Sequence, residues 1–228
     1  MFLRAEIPIF ARMDYIVWHI NESEEELQDS LQHPEYYASK VANLKPGSRR
    51  MLEVLAVRRA LKELFYGEEQ KVGYDEQGRP YLEPLDGPGK PKKALPHISI
   101  SHTMDYAVVI ASEHPVGIDI ERRGKRVARV VSHFLKPEEV ARLSLLAGDD
   151  EEMLSLCLHL AWSAKEAAFK VLGKDYYNLQ KKTTITLLSL PLCQIMLDVE
   201  GRKVPMSLHF DYTDDYVLVW VEEIIINN

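Results

Sequence analysis

The stretch Val116-Gly117-Ile118-Asp119-Ile120-Glu121 decides how this chain is read. Its polar and apolar residues alternate, and the period of two in extended backbone sets Asp119 and Glu121 on one face, Ile118 and Ile120 on the other. Two carboxylates side by side repel each other unless a cation stands between them. An isolated D-x-E on a strand is by default a wet polar face. As solvent-facing groups the two carboxylates are expected to contribute little to stability.

Downstream, a long amphipathic helix is expected over residues 150–172, with Gly173 as its stop. It contains Trp162-Ser163-Ala164-Lys165-Glu166-Ala167-Ala168-Phe169-Lys170. Residues four apart stack along a helix, so Trp162, Glu166 and Lys170 share one face. Taken alone, Glu166 and Lys170 are a surface pair contributing about 0.2 to 0.5 kcal/mol, with Trp162 in the core. Pro137 stands where a first-turn proline belongs. Strand-like runs follow the long helix at 183–189, 194–199, 204–210 and 216–226.

The chain before Val116 has a similar layout. Tyr15-Ile16-Val17-Trp18 reads as a strand, and Ser23 with Glu26 three positions on is a capping-box start for a helix to about Leu31. Apolar residues recur at helical spacing over 48–65, with Ser48 as N-cap and Gly67 as the stop. Strand-type segments follow at 71–74, 80–82, 97–101 and 106–112, and residues 83–96, with four prolines, read as an irregular loop. Each half is thus a long helix followed by strands at hairpin spacing. The fold class is α+β, built as two similar α+β lobes over residues 1–113 and 114–228. The repeat is architectural, without a repeated motif.

A third cluster is His97-Ile98-Ser99-Ile100-Ser101-His102-Thr103, a strand running into a hydroxyl-rich turn that can hold a phosphate or simply cap a turn. No G-x-S-x-G elbow surrounds Ser101, and His97 and His102 lack the i, i+4 spacing of a helical metal site. No Walker loop or G-x-G-x-x-G is present. Lys plus Arg number 28 against 35 Asp plus Glu, a formal charge of -7, which argues against a general nucleic-acid binder or a polybasic membrane-surface protein. Cys157 and Cys193 are too few and too far apart for a disulfide framework or a cysteine zinc site. A reducing cytoplasm is the simplest home. No apolar run reaches the roughly 18 residues of a membrane span.

Together and in this order, the strand, the helix and the Ser-His turn resemble the Sfp-type 4'-phosphopantetheinyl transferases. The motifs are Gly78-Arg79-Pro80, Ile100-Ser101-His102-Thr103, Val116 to Glu121, the Phe134-Leu135-Lys136-Pro137-Glu138-Glu139 run, and Trp162 to Lys170. Asp119 and Glu166 lie about 45 residues apart in a chain of family length. The resemblance implies a pseudodimer of two lobes with the site between them, in a monomer of pseudo-twofold symmetry. It implies that Asp119, Glu121 and Glu166 hold Mg²⁺ on the pyrophosphate of coenzyme A, a fit for hard oxygen ligands. Lys170 would meet the phosphate in transfer, Ser101 and His102 would bind phosphate groups of coenzyme A, and Arg49 would lie toward its 3'-phosphate. Arg79 stands where the family commonly has lysine, keeping the charge but changing its geometry.

The implied reaction moves the 4'-phosphopantetheine arm of coenzyme A to a serine of an apo acyl or peptidyl carrier protein and releases 3',5'-ADP. Glu166, Lys170 and His102 are the candidate catalytic groups, with Glu166 as base. The alternative is a Mg²⁺-dependent phosphohydrolase acting on coenzyme A or another nucleotide diphosphate. A noncatalytic acidic module, with all three clusters as solvated faces, is the other. The basic run Arg122-Arg123-Gly124-Lys125-Arg126-Val127-Ala128-Arg129 contradicts the overall charge. By default it is a solvated helix start. Beside the acidic strand, Arg123, Lys125 and Arg126 are also expected to dock an acidic carrier.

Overall fold

The computed structural model describes residues 3–6, 13–84, 95–173, 178–199 and 206–222. The chain divides into two compact units, the first running up to Val116 and the second spanning Gly117–Glu222.

In the first unit, β1 (Leu3–Glu6) pairs antiparallel with β2 (Met13–His19). The Ser23 hydroxyl accepts the Glu26 N–H at 3.2 Å, and the Glu26 carboxylate accepts the Ser23 N–H at 2.8 Å. This reciprocal box opens α1 (Glu24–Asp29), as its sequence pattern demands. A 3₁₀ turn (Pro34–Tyr36) and α2 (Ala38–Val41) lead to α3 (Arg49–Leu64). Ser48 caps α3 by accepting the Met51 N–H at 3.3 Å. At the other end Gly67, at φ +92°, sends its N–H back to the Lys62 carbonyl at 2.8 Å.

The two-stranded ribbon of β3 (Val72–Tyr74) and β4 (Pro80–Leu82) follows, then β5 (His97–Thr103) and β6 (Tyr106–Ser112). The main sheet of this unit is antiparallel throughout, in the order β1-β2-β6-β5. α3 packs on β2 and β6, and Trp18, Leu55, Leu61 and Val109 share the core.

The second unit begins with β7 (Val116–Arg122), followed by α4 (Lys125–Phe134), α5 (Pro137–Ala147) and α6 (Glu151–Leu172). After α7 (Leu179–Lys182) come β8 (Thr183–Ser189), β9 (Gln194–Val199), β10 (Met206–Tyr212) and β11 (Tyr216–Glu222). The sheet order is β7-β11-β10-β9-β8, which places the first strand of the unit beside the last. α6 is capped by Asp150, whose carboxylate accepts the N–H of Glu152 and of Met153 at 2.9 and 3.0 Å. It lies across β11, and Leu160, Ala164 and Ala168 share its core with Val217 and Val219.

The α+β class and most element positions agree with the sequence reading, with one correction to the layout. Neither unit starts with its long helix: β1 and β2 precede α3, and β7 precedes α4 to α6. β1 is only four residues long, too short for its alternation to register as a strand signal. Of the strand expected at 204–210, residues 204 and 205 lie outside the described residues. So do residues 223–226 of the last strand and 85–94 of the expected loop.

β7 also departs from the half-wet strand its alternation suggests, because every residue from Val116 to Ile120 is buried. The reason is Gly117. A Cβ there would stand 2.1 Å from the Ala167 carbonyl oxygen and 2.9 Å from a Val171 methyl, so strand and helix meet at backbone distance. Overpacking a tight contact costs about 1 to 3 kcal/mol, and here a backbone oxygen would have to yield. Gly117→Ala is therefore expected to lose about 3 kcal/mol of unfolding free energy in urea denaturation. A loss under about 0.5 kcal/mol, the range of an ordinary surface change, would contradict the packing described.

Candidate active site

The face of β7 that carries Gly117 also carries Asp119 and Glu121, by the period of two, and that face meets α6. Glu166 and Lys170 reach it from one side of the helix. The Lys170 ammonium donates to the Ile118 carbonyl at 2.6 Å and to Asp119 Oδ1 at 3.0 Å. Asp119 is only 6% exposed, so the expectation of a solvent-facing carboxylate is corrected: close packing on α6 has taken it out of water. Lys170 is therefore not the partner of Glu166 in an exposed pair. It bridges helix to strand.

Three carboxylates in this space disturb one another. Burial pushes Glu121 up to about 7, and the charges on Asp119 and Glu166 push the same way against the pull of Arg126. Burial also raises Glu166, with Asp119 adding to it and Lys170 opposing. Such a set is short of positive charge, and its oxygen donors are the type that a hard divalent cation takes. As the side chains stand, no three of His, Cys, Asp or Glu among the described residues converge closely enough to hold one ion. Lys170 occupies Asp119 instead. The donor chemistry thus fits Mg²⁺, with the Lys170 ammonium in contact with one of its ligands.

The orientation of α6 is fixed by a second lysine that sequence patterns did not single out. Lys165 is fully buried, and its ammonium donates to the Phe134 carbonyl at 2.8 Å, Glu139 Oε2 at 2.9 Å and the Thr183 carbonyl at 3.3 Å. Glu139, also buried, accepts the Lys136 N–H at 2.8 Å and the Ile185 N–H at 2.7 Å. One ion pair thereby ties α6 to the α4–α5 junction and to β8. Trp162 adds an edge-on contact with Phe134, ring centroids 4.8 Å apart.

The remaining candidates belong to the first unit. Ser101 is buried on β5. His102 is partly exposed, with Nδ1 3.2 Å from Glu53 Oε2 and Nε2 against the Arg50 guanidinium. Arginine can only donate, so Nε2 accepts and Nδ1 carries the proton toward Glu53. Arg50 also reaches Glu53 at 3.2 Å, and neither residue had a motif to mark it. Arg49 pairs with Asp105 at 2.9 Å, and Arg79 with Asp75 at 2.8 Å. Both guanidinium groups keep further donors for a ligand.

The basic run divides by role. α4 does start in it, as expected of a helix start, but Arg123 is structural: it pairs with Glu152 at 2.5 Å and donates to the Thr213 carbonyl at 3.3 Å. Arg126 acts on Glu121. Lys125 and Arg129 are exposed, one helical turn apart.

Removing Lys165 would leave Glu139 buried beside empty space. Breaking a buried pair at one end costs about 3 to 5 kcal/mol. Lys165→Met is expected to lose that much in chemical denaturation, and a loss below about 1 kcal/mol would show that the pair does not anchor α6.

Residues 115–221 match the model of the 4'-phosphopantetheinyl transferase superfamily. The chain is 28% identical over 140 residues to "4'-phosphopantetheinyl transferase gsp" of Aneurinibacillus migulanus, covering 60% of this chain and 54% of that protein. It is 32% identical over 104 residues to "4'-phosphopantetheinyl transferase" of Bacillus subtilis, covering 45% and 41%. Over 74 residues it is 39% identical to "Enterobactin synthase component D" of Escherichia coli (strain K12), covering 32% and 34%. In these alignments the chain spans about half or less of the length of each relative.

Proposed function

We propose that this chain, whose residues 115–221 match the model of the 4'-phosphopantetheinyl transferase superfamily, transfers the 4'-phosphopantetheine arm of coenzyme A to a serine of an apo acyl or peptidyl carrier protein, releasing 3',5'-ADP. The observation that carries this reading is the meeting of Asp119, Glu121, Glu166 and Lys170 on one strand–helix contact inside the matched segment.

Asp119, Glu121 and Glu166 are the groups that would hold Mg²⁺. When bound, that ion supplies positive charge to the pyrophosphate oxygens. Lys170, already held between Ile118 and Asp119, is placed to offer its remaining hydrogen to a phosphate oxygen. Charge on those oxygens is where phosphoryl transfer gains most from its enzyme. The serine hydroxyl forms the new P–O bond, the bond to 3',5'-ADP breaks, and the serine proton passes to Glu166 directly or through water. Burial and the charge on Asp119 raise the proton affinity of Glu166, as suits a base facing a hydroxyl. Arg49, Arg79, Ser101 and His102 would receive the other phosphate groups of coenzyme A.

Intact-mass analysis of a panel of apo-carriers incubated with enzyme, Mg²⁺ and coenzyme A tests the proposal. One phosphopantetheine should be added to a carrier serine, and no 3',5'-ADP should appear when carrier is left out. No modification of any carrier by this enzyme, under conditions where a control transferase modifies the panel, would sink it. Asp119→Asn, which keeps the side chain's size at a buried position, should abolish Mg²⁺-dependent turnover, and Lys170→Met should lower kcat by about 10²–10³-fold.

The exposed pair Lys125 and Arg129 is the part of the basic run left for an acidic carrier. Reversing both to glutamate should raise the carrier KM and leave the coenzyme A KM unchanged. Equal effects on both substrates, or none, would remove the docking role.

A further inference from the structure

His159 lies on α6, only 1% exposed, and both nitrogens of its ring are engaged. Nε2 stands 3.1 Å from the Gly124 nitrogen, and Nδ1 stands 2.7 Å from the Ser155 carbonyl oxygen. A backbone N–H only donates and a carbonyl only accepts, so Nε2 carries the lone pair and Nδ1 the proton. The ring is therefore neutral. Burial holds it below the ordinary histidine range and the Arg123 charge acts the same way, against the Ser155 carbonyl and Glu152. Gly124 is the N-cap of α4 and has no side chain with which to cap it. Its neighbour Arg123 donates its N–H to the Asp215 carbonyl at 2.8 Å, and its guanidinium meets the Thr213 carbonyl and Glu152. Glu152 and His159 are seven residues apart, two turns along one face of α6. That helix thus grips the link between β7 and α4 at two consecutive residues.

We propose that His159 is a positioning residue for carrier recognition: its bond to Gly124 pins the start of α4, and with it the exposed Lys125 and Arg129. The identity of the substrate so recognised rests on the transferase reading; the bond does not. Lys125 follows Gly124 directly, so a first turn that comes loose misplaces Lys125 before any other side chain. A proton on Nε2 turns the acceptor into a donor aimed at another donor, and the contact is lost. Gly124 is exposed, so water can take its N–H once the ring lets go. The charged groups facing the ring are Arg123 on the link and Glu152 on α6, already joined to each other. The turn between β10 and β11 meets the link through the Thr213 and Asp215 carbonyls, both taken by Arg123. Of the two grips, the Arg123 ion pair therefore outlasts a fall in pH through the histidine range, and the Gly124 bond does not.

Two variants of the full chain separate the bond from the bulk of the ring. His159→Gln keeps an acceptor for Gly124 and takes up no proton, whereas His159→Leu keeps the bulk and offers no acceptor. At neutral pH, with Mg²⁺ and coenzyme A saturating, His159→Leu should raise the carrier KM about tenfold, the upper reach of one neutral hydrogen bond. Its kcat and coenzyme A KM should stay at the wild-type values, and His159→Gln should match the wild type throughout. Between about pH 7.5 and about pH 5 the carrier KM of the wild type should rise relative to that of His159→Gln, a ratio from which titration of the carrier itself cancels. NMR of ¹⁵N-glycine-labelled enzyme without substrates reads the bond alone. The Gly124 amide signal should move with pH in step with the His159 ring in the wild type and hold steady in His159→Gln. In His159→Leu it should already sit, at neutral pH, where the wild type arrives in acid. If His159→Leu does not fold, the pH profile and amide signal of His159→Gln carry the test. The same carrier KM in all three proteins, or a Gly124 amide that ignores both pH and substitution, overturns the inference. A wild type that modifies no carrier defeats the transferase reading instead, and the Gly124 signal then decides whether His159 holds α4.

Discussion

Everything in the candidate active site follows from how closely β7 approaches α6. At Gly117 the strand backbone lies against the helix backbone, with room for no side chain between them. Because side chains in a strand alternate, the two positions that follow Gly117 on the same face are Asp119 and Glu121. The glycine therefore aims the carboxylates at the helix. On α6 the contact is made at Ala167 and Val171, and their immediate neighbours in sequence are Glu166 and Lys170. A larger residue at 117 would move the strand out and separate the four groups at a stroke. The short interval between the glycine and the acids is what turns a packing requirement into a site.

Close approach has an electrostatic consequence. Carboxylates that would be wet on an open strand are instead drawn out of water, so that the Asp119 charge raises the proton affinity of Glu121 and of Glu166, and Glu166 raises that of Glu121. Lys170 offsets part of this charge, by direct contact at Asp119 and through space at Glu166. Arg126 opposes it at Glu121, and the three carboxylates together still outnumber the two cations that act on them.

Much of this was legible from residue order. The capping box at Ser23 and Glu26, the N-cap at Ser48 and the glycine stops at 67 and 173 are local devices, satisfied within a few residues, and they are found where the pattern puts them. The common face of Glu166 and Lys170 follows from helical period, and that of Asp119 and Glu121 from strand period. What periodicity cannot give is the partner of a face. It therefore suggested that Lys170 pairs with Glu166 in solvent, when contact with β7 redirects it to Asp119. Arg123 misled for a similar reason: a basic residue in a charge run looks solvated until Glu152, 29 residues on, closes over it. Arg50, Glu53 and Arg58 carried no signal, because their environments depend on His102 and Tyr74 from distant strands.

The two lysines of α6 show how little residue type decides. Lys165 and Lys170 are five positions apart, and five residues along a helix is about 140° past one full turn, so they face different neighbours. Lys165 enters a closed interior where Glu139 and two carbonyls take all three of its hydrogens. Nothing is left for a ligand, and its function is to hold the helix in register with β8 and the α4–α5 junction. Lys170 meets the strand edge-on, spends two hydrogens on Ile118 and Asp119, and remains a quarter exposed. A group so placed is positioned as firmly as a structural residue yet keeps one donor for a partner. The rigidity of the first lysine sets the address of the second, since any slip of α6 that loosened Lys165 would also draw Lys170 away from Asp119. Site geometry and fold stability are therefore coupled through one helix. The coupling runs from the buried Lys165–Glu139 pair to the face that carries Lys170.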